Sequence, residues 1–329
     1  MISRIADHCF WFGRYVERTE ATARMLSASM SLALDAEIPA QQIWRSVLVV
    51  SGEEDEFRVR CAEGDDDHGA WADGEVVQRF MVWDEQNGVS LHQSVSGARA
   101  NARSIREVLS LEAWEAVNEL YLWMTSEVVM TSYAQHRDAF YARVRRSTQL
   151  GLGLLRSTML HDEPLDFMWL GVLLERVNQT ARMLDVHHHV FRNLPRSSDA
   201  DDVVETGLWL SLLRALSGSE AFLKRSGGRL SSDAVARFLI SEPAFPRSIV
   251  YCVKSAYERL CSIRPPENHT LPGGAALEQL RILDAWVGDR EDETLSGAGV
   301  HDLLTYIVDE VHEICGTLGT ELLGAGRAS

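Results

Sequence analysis

The chain has 329 residues, of which 46% are hydrophobic, so it is long enough to bury a substantial core. Its formal net charge of −16 argues against a nucleic acid or an anionic membrane as the main partner, because phosphate binding requires a basic surface. No apolar run approaches the roughly 18 residues of a membrane span, and the N-terminus leaves no room for a signal peptide. The five cysteines are an odd number without C-x-x-C spacing. We therefore expect a cytoplasmic protein with reduced thiols.

The first predicted helix has a counterpart in the second half of the chain. Phe10–Leu26 (FWFGRYVERTEATARML) and Met168–Leu184 (MWLGVLLERVNQTARML) are identical at nine of 17 positions, at an offset of 158 residues. A second pair of segments, Val77–Val95 and Val235–Val253, has the same offset. Two matches at one offset indicate an internal duplication. The pattern predicts one globular multi-helix bundle, built from two pseudo-symmetric repeats at about 1–158 and about 159–329.

Most of the remaining chain also has helical periodicity, so the predicted fold class is all-α. Apolar residues recur at helical spacing in 97–132, 207–223, 277–287 and 300–323. Predicted loops separate these segments at 52–74, 192–205, 264–274 and 288–299. The first of these loops is strongly acidic and is predicted to be a solvated connector, with a short hairpin at Phe57–Val59 as an alternative. No sheet can be assembled from the pattern.

The two matched helices each present one polar face beside an apolar seam. Steps of four, three and four residues place these side chains on one face of each helix: Gly13, Glu17, Glu20 and Arg24, then Gly171, Glu175, Asn178 and Arg182. Buried charges must be paired, so one interpretation is an ion-pair lattice that fixes the register of the helices. The other is a polar pocket in which Glu17 and Glu175 act as acid or base while arginines hold an anion.

A third polar element follows the second matched segment of the first repeat. Arg99, Arg103 and Arg106 follow in steps of four and three, which predicts one basic face on a helix. Such a face requires either carboxylate partners, such as Glu107, or an anionic ligand. Ser90 and its counterpart Ser248 are predicted to cap the helices that follow them.

Four long segments resemble the bacterial Alpha-E family, a helical domain named for its Glu-Arg motif and catalogued as a domain of unknown function. They are ISRIADHCFWFGRYVERTEATARML, RFMVWDEQNGVSLHQSVSGARANARSIREVLSLEAWEAVNELY, FMWLGVLLERVNQTARMLDV and RFLISEPAFPRSIVYCV. One departure is visible, because Asn87 is followed by Gly88 where the family usually has proline. The stripe, the basic face and the resemblance together give these candidate binding residues: Arg18, Arg24, Arg99, Asn101, Arg103, Arg106, Arg176 and Arg182.

The resemblance also implies a biochemical setting. Members of the family look like partners of circularly permuted ATP-grasp amide ligases and transglutaminase-like cysteine peptidases. The resemblance implies a system that forms or removes a peptide or amide bond. We therefore expect an accessory protein that binds these enzymes or their peptide product. The alternative is an enzyme whose Glu/Arg pocket performs amide or acyl chemistry on a carboxylate-bearing substrate. A narrower hypothesis is a sensor for a carboxylate or phosphate ligand.

Common catalytic and cofactor motifs are missing from the sequence. It has no G-x-x-x-x-G-K-[ST], G-x-G-x-x-G, H-E-x-x-H or G-x-S-x-G segment. A di-iron bundle requires Glu-x-x-His on two helices, and the nearest approaches are Asp185-x-x-His188 and Asp309-x-x-His312. Cys9 beside His8 is weak evidence for a nucleophile, because adjacent residues diverge on a helix. We predict neither a metal nor a cofactor.

Overall fold

The computed structural model of the chain describes residues 1–35, 38–61, 67–192, 200–227, 230–268, 270–289 and 299–324. Within these ranges the fold is all-α, as predicted, with sixteen α-helices and no strand. The first nine are α1 (Ser3–Asp35), α2 (Ala40–Ser51), α3 (Glu54–Cys61), α4 (Asp67–Ala72), α5 (Gly74–Trp83), α6 (Leu91–Ser104), α7 (Leu111–Met124), α8 (Glu127–Ser132) and α9 (Arg137–Thr158). The others are α10 (Glu163–Arg192), α11 (Ala200–Ala215), α12 (Ser219–Ser226), α13 (Ser232–Ser241), α14 (Ile249–Ile263), α15 (Gly274–Gly288) and α16 (Gly299–Leu318). No helix of the described residues is long and apolar enough to cross a membrane.

The two longest helices, α1 and α10, pack against each other at the centre of the fold. They run in the same direction, because Met1 lies against Glu163 at their starts and Glu17 against Arg176 further along. Helices α6 and α9 pack on α1, whereas α14 and α16 pack on α10. One continuous hydrophobic core includes residues from both halves of the chain. The central pair therefore lies where any polar side chain between the helices is shielded from water.

Glycines allow the close approach of the central helices. A Cβ atom on Gly13 would collide with the backbone carbonyl of Met168, and one on Gly171 would collide with the carbonyl of Phe10. The two contacts are reciprocal, since Gly13 corresponds to Gly171 and Phe10 to Met168 at the offset of 158 residues. Glycine in a helix interior costs roughly 1 kcal/mol relative to alanine. The close crossing of the backbones explains why the sequence tolerates that cost twice.

Helix boundaries follow the same offset. Helices α5 and α13 begin and end 158 residues apart, and α14 begins 158 residues after α6. The predicted caps are confirmed, because Ser90 and Ser248 each accept a hydrogen bond from the backbone N–H three residues later, at 3.2 Å. Both serine hydroxyls also donate to a backbone carbonyl six residues earlier. These correspondences support the duplication, which stays a prediction.

The acidic segment differs from the predicted solvated connector. Residues 54–61 and 67–72 form helices α3 and α4, so neither the connector nor the hairpin at Phe57–Val59 describes these residues. Phe57 is fully buried, with edge-on ring contacts to Trp71 and Phe80. The acidic residues occupy the first turn of α3, where the helix dipole favours negative charge. Residues 62–66 lie outside the described part of the chain.

Other helix boundaries also differ from the prediction. The predicted continuous helix at 97–132 is interrupted twice, with α7 starting after Ser110 and α8 after Ser126. Ser110 accepts a hydrogen bond from the backbone N–H of Ala113, which closes the first turn of α7. Helix α11 starts at Ala200, inside the predicted loop at 192–205, of which residues 193–199 lie outside the described ranges.

Candidate functional site

The Glu-Arg motifs of the two central helices pair with each other. Arg176 donates from Nε and Nη2 to the two carboxylate oxygens of Glu17, at 3.1 and 2.7 Å. Arg18 donates from Nε and Nη2 to the two oxygens of Glu175, at 2.8 and 3.1 Å. Each motif thus supplies the glutamate of one pair and the arginine of the other. This bidentate geometry is the strongest form of side-chain ion pair.

Each glutamate also binds a second arginine, and the source of that arginine differs between the two. Glu17 accepts a hydrogen bond at 2.5 Å from Nη1 of Arg247, a residue that lies just before α14. Glu175 accepts from Arg14, which lies on α1, at 2.7–2.8 Å. Burial alone raises the pKa of both glutamates, but the arginines outweigh burial and lower each pKa to about 2.

The paired carboxylates are therefore unsuited to acid–base catalysis. A general acid or base must exchange a proton with a substrate near the working pH. Glu17 and Glu175 are at most 1% exposed, and all four of their carboxylate oxygens accept from arginine. Among the two interpretations of the polar stripe, the ion-pair lattice describes these two residues better.

Glu20 is the third buried carboxylate, and its two oxygens have different environments. Its Oε1 accepts from Arg24 at 2.8 Å, from Arg247 at 3.0 Å and from Gln149 at 3.3 Å. Its Oε2 is buried without a hydrogen-bond partner among the described residues. A nearby arginine, Arg145, also has a buried Nε without a partner, and burial followed by the charge of Arg24 lowers its pKa. Glu20 is therefore the carboxylate whose hydrogen bonding is incomplete.

An open pocket of about 450 Å³ lies beside this carboxylate. Its walls come from one face of α9, the middle of α10, the first turns of α14 and one residue of α1. Polar and aromatic groups of the lining include Glu20, Gln149, Arg156, Trp169, Arg176 and Arg247. The volume falls within the usual range of small-ligand sites, roughly 300–1,000 Å³. Neither Glu17 nor Glu175 lines it.

The outer part of the pocket carries two further arginines. The guanidinium of Arg156 lies 4.7 Å from the ring centre of Trp169, and the Trp169 side chain is mostly buried. Arg259 donates to Asp166 at 2.8 Å, so its charge is already paired. No carboxylate of the described residues forms an ion pair with Arg156. Arg156 is therefore the arginine of the pocket that is available to an anion.

The predicted basic face does not line this pocket. Arg99 is half-buried with its guanidinium 4.4 Å from the ring centre of Tyr121. Arg103 is exposed, and Arg106 lies beyond the end of α6, stacked 5.0 Å from the ring centre of Trp114. Because α6 ends before Arg106, the three arginines do not form one helical stripe.

Two other candidate residues have local partners. The Asn101 side chain lies 2.8 Å from Nδ1 of His8 and donates to the backbone of its own helix. Arg182 donates to the backbone carbonyl of Val50 at 3.1 Å and lies over Gly52, which ends α2. Among the candidate binding residues from the sequence, only Arg176 lines the pocket.

Several residues of the site were missed by the sequence patterns. Arg14 and Arg247 complete the lattice, and Gln149 and Arg156 come from α9, which contains no matched segment. The sequence did contain one signal for Glu20. At the offset of 158 residues it corresponds to Asn178, so the two repeats differ at this position of the shared polar face. The contacts of Arg14, Gln149 and Arg247 with the glutamates join positions more than 120 residues apart, which no local periodicity reveals.

Metal-ligating side chains are dispersed in the described part of the chain, where no group of three or more could hold an ion. Nδ1 of His187 lies 2.8 Å from the backbone carbonyl of Met183, and burial lowers the His187 pKa to about 4. Asp185 pairs with His301 at 2.7 Å, and this partner raises the His301 pKa. These contacts account for Asp185 and His187 without a metal.

The fold and the site define a class of all-helical domains held together by reciprocal Glu-Arg pairs. The chain belongs to the Alpha-E family, described as a predicted alpha-helical domain with a conserved ER motif, whose family model matches residues 1–322. It is similar to uncharacterized proteins of Mycobacterium bovis and Mycobacterium tuberculosis, with 24% identity over 262 residues. The match includes 75% of this chain but only 28% of the length of those relatives. No solved structure matches the chain.

Proposed function

We propose that this protein is a non-catalytic accessory protein that binds the carboxylate group of a peptide or amide product. The observation that carries the proposal is the pocket of about 450 Å³ beside the Glu-Arg lattice, with Arg156, Arg176 and Arg247 in its lining. The lining contains four arginines and two glutamates, Glu20 and Glu258. Arg176, Arg247 and Arg259 are paired with carboxylates, so Arg156 is the group that favours an anionic ligand.

The first turn of α14 adds to this preference. Pro246, Arg247 and Tyr251 line the pocket, and α14 begins at Ile249. Backbone N–H groups at a helix N-terminus carry partial positive charge and attract anions. A carboxylate near Arg156 would also give that guanidinium the charged partner that the described residues do not supply.

A setting with an ATP-grasp amide ligase and a transglutaminase-like peptidase fits such a ligand. These partners come from the family resemblance. Enzymes that form and hydrolyse amide bonds handle molecules with free carboxylate groups, so a carboxylate-binding helical protein would hold or deliver their substrate or product. Because an ATP-consuming ligase works inside the cell, the proposal includes a cytoplasmic location.

The alternative is an enzyme that performs amide or acyl chemistry in this pocket. That function was expected to depend on Glu17 and Glu175, whose carboxylates are buried, ionised and fully engaged by arginines. A catalytic role would have to move to Glu20, which has a free oxygen next to the pocket. The proposed binding role requires no such proton transfer and is therefore preferred.

The proposal is tested by co-purifying the protein with an ATP-grasp amide ligase from the same organism, then measuring ATP-dependent amide formation with and without this chain. We expect a stable complex and at least a fivefold increase in product formation. Arg156→Gln should abolish most of that increase without loss of folding, because Arg156 is exposed. Arg143→Gln is the matched control, since Arg143 lies on the same helix, 4.4 Å from the ring centre of Trp123, outside the pocket. Absence of both the complex and the stimulation would refute the accessory role.

A further inference from the structure

Two charged residues of the pocket occur where the two repeats differ. At the offset of 158 residues, Glu20 corresponds to Asn178 and Arg247 corresponds to Val89. The residues of the helix crossing, by contrast, are the same in both repeats, as in the pairing of Glu17 with Arg176 and of Glu175 with Arg18. The crossing is thus built from shared residues, while the pocket side carries an additional acid and an additional base.

Glu20 provides an unused hydrogen-bond acceptor at this place. Its Oε1 is engaged by Arg24, Arg247 and Gln149, whereas its Oε2 is buried and has no hydrogen-bond partner in the described part of the chain. A buried carboxylate oxygen without a donor is unfavourable, because it has lost water and gained no hydrogen bond in exchange. Glu20 lies in the lining of the pocket, so a small shift of the side chains around Oε2 would let a ligand N–H group at the inner end supply the missing donor.

The same pocket carries the positive groups described above. Arg156 has no carboxylate partner among the residues that the structure describes, and Arg247 lies just before the N-terminus of α14. Each terminal nitrogen of a guanidinium carries two hydrogens, and Arg247 uses one nitrogen for Glu17 and the other for Glu20. Hydrogens therefore remain on Arg247 for a ligand, in addition to the guanidinium of Arg156.

We propose that the pocket binds a zwitterion, in which an ammonium group donates to Oε2 of Glu20 and a carboxylate lies against Arg156 and the first turn of α14. This inference rests on the proposed function, because it uses the same pocket as the carboxylate site. The ligand class is a free α-amino acid or a short peptide with free termini. A phosphate dianion fits less well, since it would leave Oε2 without a donor and place like charges together.

The volume agrees with this class. A space of about 450 Å³ accommodates a molecule the size of an amino acid or a dipeptide, and the mostly buried Trp169 gives it an aromatic wall. Both charged ends of such a ligand would meet side chains that the protein already orients, because Arg24 and Gln149 hold Glu20 and Trp169 lies against Arg156. That preorganisation favours binding, because the side chains lose little further freedom.

The test is isothermal titration of the purified full chain with four probes: alanyl-alanine, its N-acetyl derivative, its C-terminal amide, and free L-alanine. We expect alanyl-alanine or L-alanine to bind, and each blocked derivative to bind at least tenfold more weakly than alanyl-alanine. Comparison of the dipeptide with L-alanine separates a peptide ligand from an amino acid. If the N-acetyl derivative binds as well as the free dipeptide, ammonium recognition is wrong while the carboxylate site stands. If no probe binds at millimolar concentration, both the zwitterion and the carboxylate site are wrong.

Variants assign the two ends of the ligand. Glu20→Asn introduces the residue that the second repeat has at the corresponding position, Asn178. It should lower the affinity for the free dipeptide at least tenfold and leave the affinity for the N-acetyl derivative unchanged. Arg156→Gln should lower the affinity for both of these probes, and Arg143→Gln should change the affinity for neither. Because Glu20 is buried, the surface variants keep the test decisive if Glu20→Asn does not fold. Equal affinity of the wild type and Arg156→Gln for the dipeptide would overturn the proposed orientation.

Discussion

Replacement of Glu17 by glutamine should strongly destabilise the protein. Glu17 is fully buried and accepts three hydrogen bonds, two from Arg176 and one from Arg247. Its pKa is lowered from 4.5 to about 2, which corresponds to about 3 kcal/mol of preference for the charged form in the folded state. Loss of one partner from a buried ion pair typically costs about 3–5 kcal/mol. Both routes give the same magnitude for Glu17→Gln, because the variant leaves Arg176 buried without a carboxylate.

The assay is urea unfolding at pH 7, followed by tryptophan fluorescence, with the midpoint and the slope fitted separately. The control is Glu115→Gln, which removes an exposed carboxylate of α7 and should change the free energy of unfolding by less than about 0.5 kcal/mol. Glu175→Gln should resemble Glu17→Gln, because Arg14 and Arg18 would lose their shared partner. A loss below about 1 kcal/mol for Glu17→Gln would show that the lattice does not hold the central helices together.

Two further predictions concern the same crossing. Gly13→Ala should destabilise the fold by about 1–3 kcal/mol or more, since its Cβ would meet a backbone carbonyl. The control is Gly316→Ala in α16, which has open space around its Cβ and should be neutral or stabilising by up to about 1 kcal/mol. Equal urea midpoints for the two variants would contradict the close approach of the central helices. The pKa values of Glu17 and Glu175 are depressed, so their contribution to the free energy of unfolding is complete above pH about 4.5 and is lost as the pH falls toward about 2. Urea midpoints should therefore decline from pH 6 to pH 3, and midpoints that do not change with pH would be inconsistent with the lowered pKa values.

Part of the central crossing could be predicted, because the position of its glutamates on each helix is local information. Helical spacing places Gly13, Glu17 and Glu20 on one face of α1, and the same spacing recurs in α10. Since buried charges require partners, two such faces predict reciprocal pairing. The partners differ from the predicted stripe, because Glu17 pairs with Arg176 and Glu175 with Arg18. The arginines of the stripe have other partners: Arg24 pairs with Glu20 of its own helix, and Arg182 donates to the backbone of Val50.

The pocket could not be predicted in the same way. Arg247 reaches Glu17 across 230 positions of the chain, and Gln149 reaches Glu20 across 129. Such contacts depend on how α9 and α14 pack against the central helices, and no periodicity within one helix contains that information. The basic face was wrong for a local reason, because α6 ends at Ser104 and separates Arg106 from Arg99.

The charge pattern of the acidic segment predicted the wrong local structure. A block of like charges usually indicates a solvated connector, and residues 53–56 fit that rule. Two aromatic residues nearby, Phe57 and Trp71, contact each other in the core, and their burial decides the local structure. Burial of an aromatic side chain contributes roughly 1.5–3 kcal/mol, which exceeds the mutual repulsion of exposed carboxylates screened by water.

The two sides of the lattice differ in what lies next to them, and this difference explains why a pocket forms on one side. On the Glu175 side the second arginine, Arg14, belongs to α1 and also contacts the thiol of Cys315 in α16, so a packed helix covers it. On the Glu17 side the second arginine, Arg247, comes from the segment before α14 and borders open space. Since Arg247 bonds to Glu17 and lines the pocket, a bound ligand would be linked through one guanidinium to the pair that holds α1 against α10. The residues that stabilise the crossing therefore also hold one wall of the pocket in place.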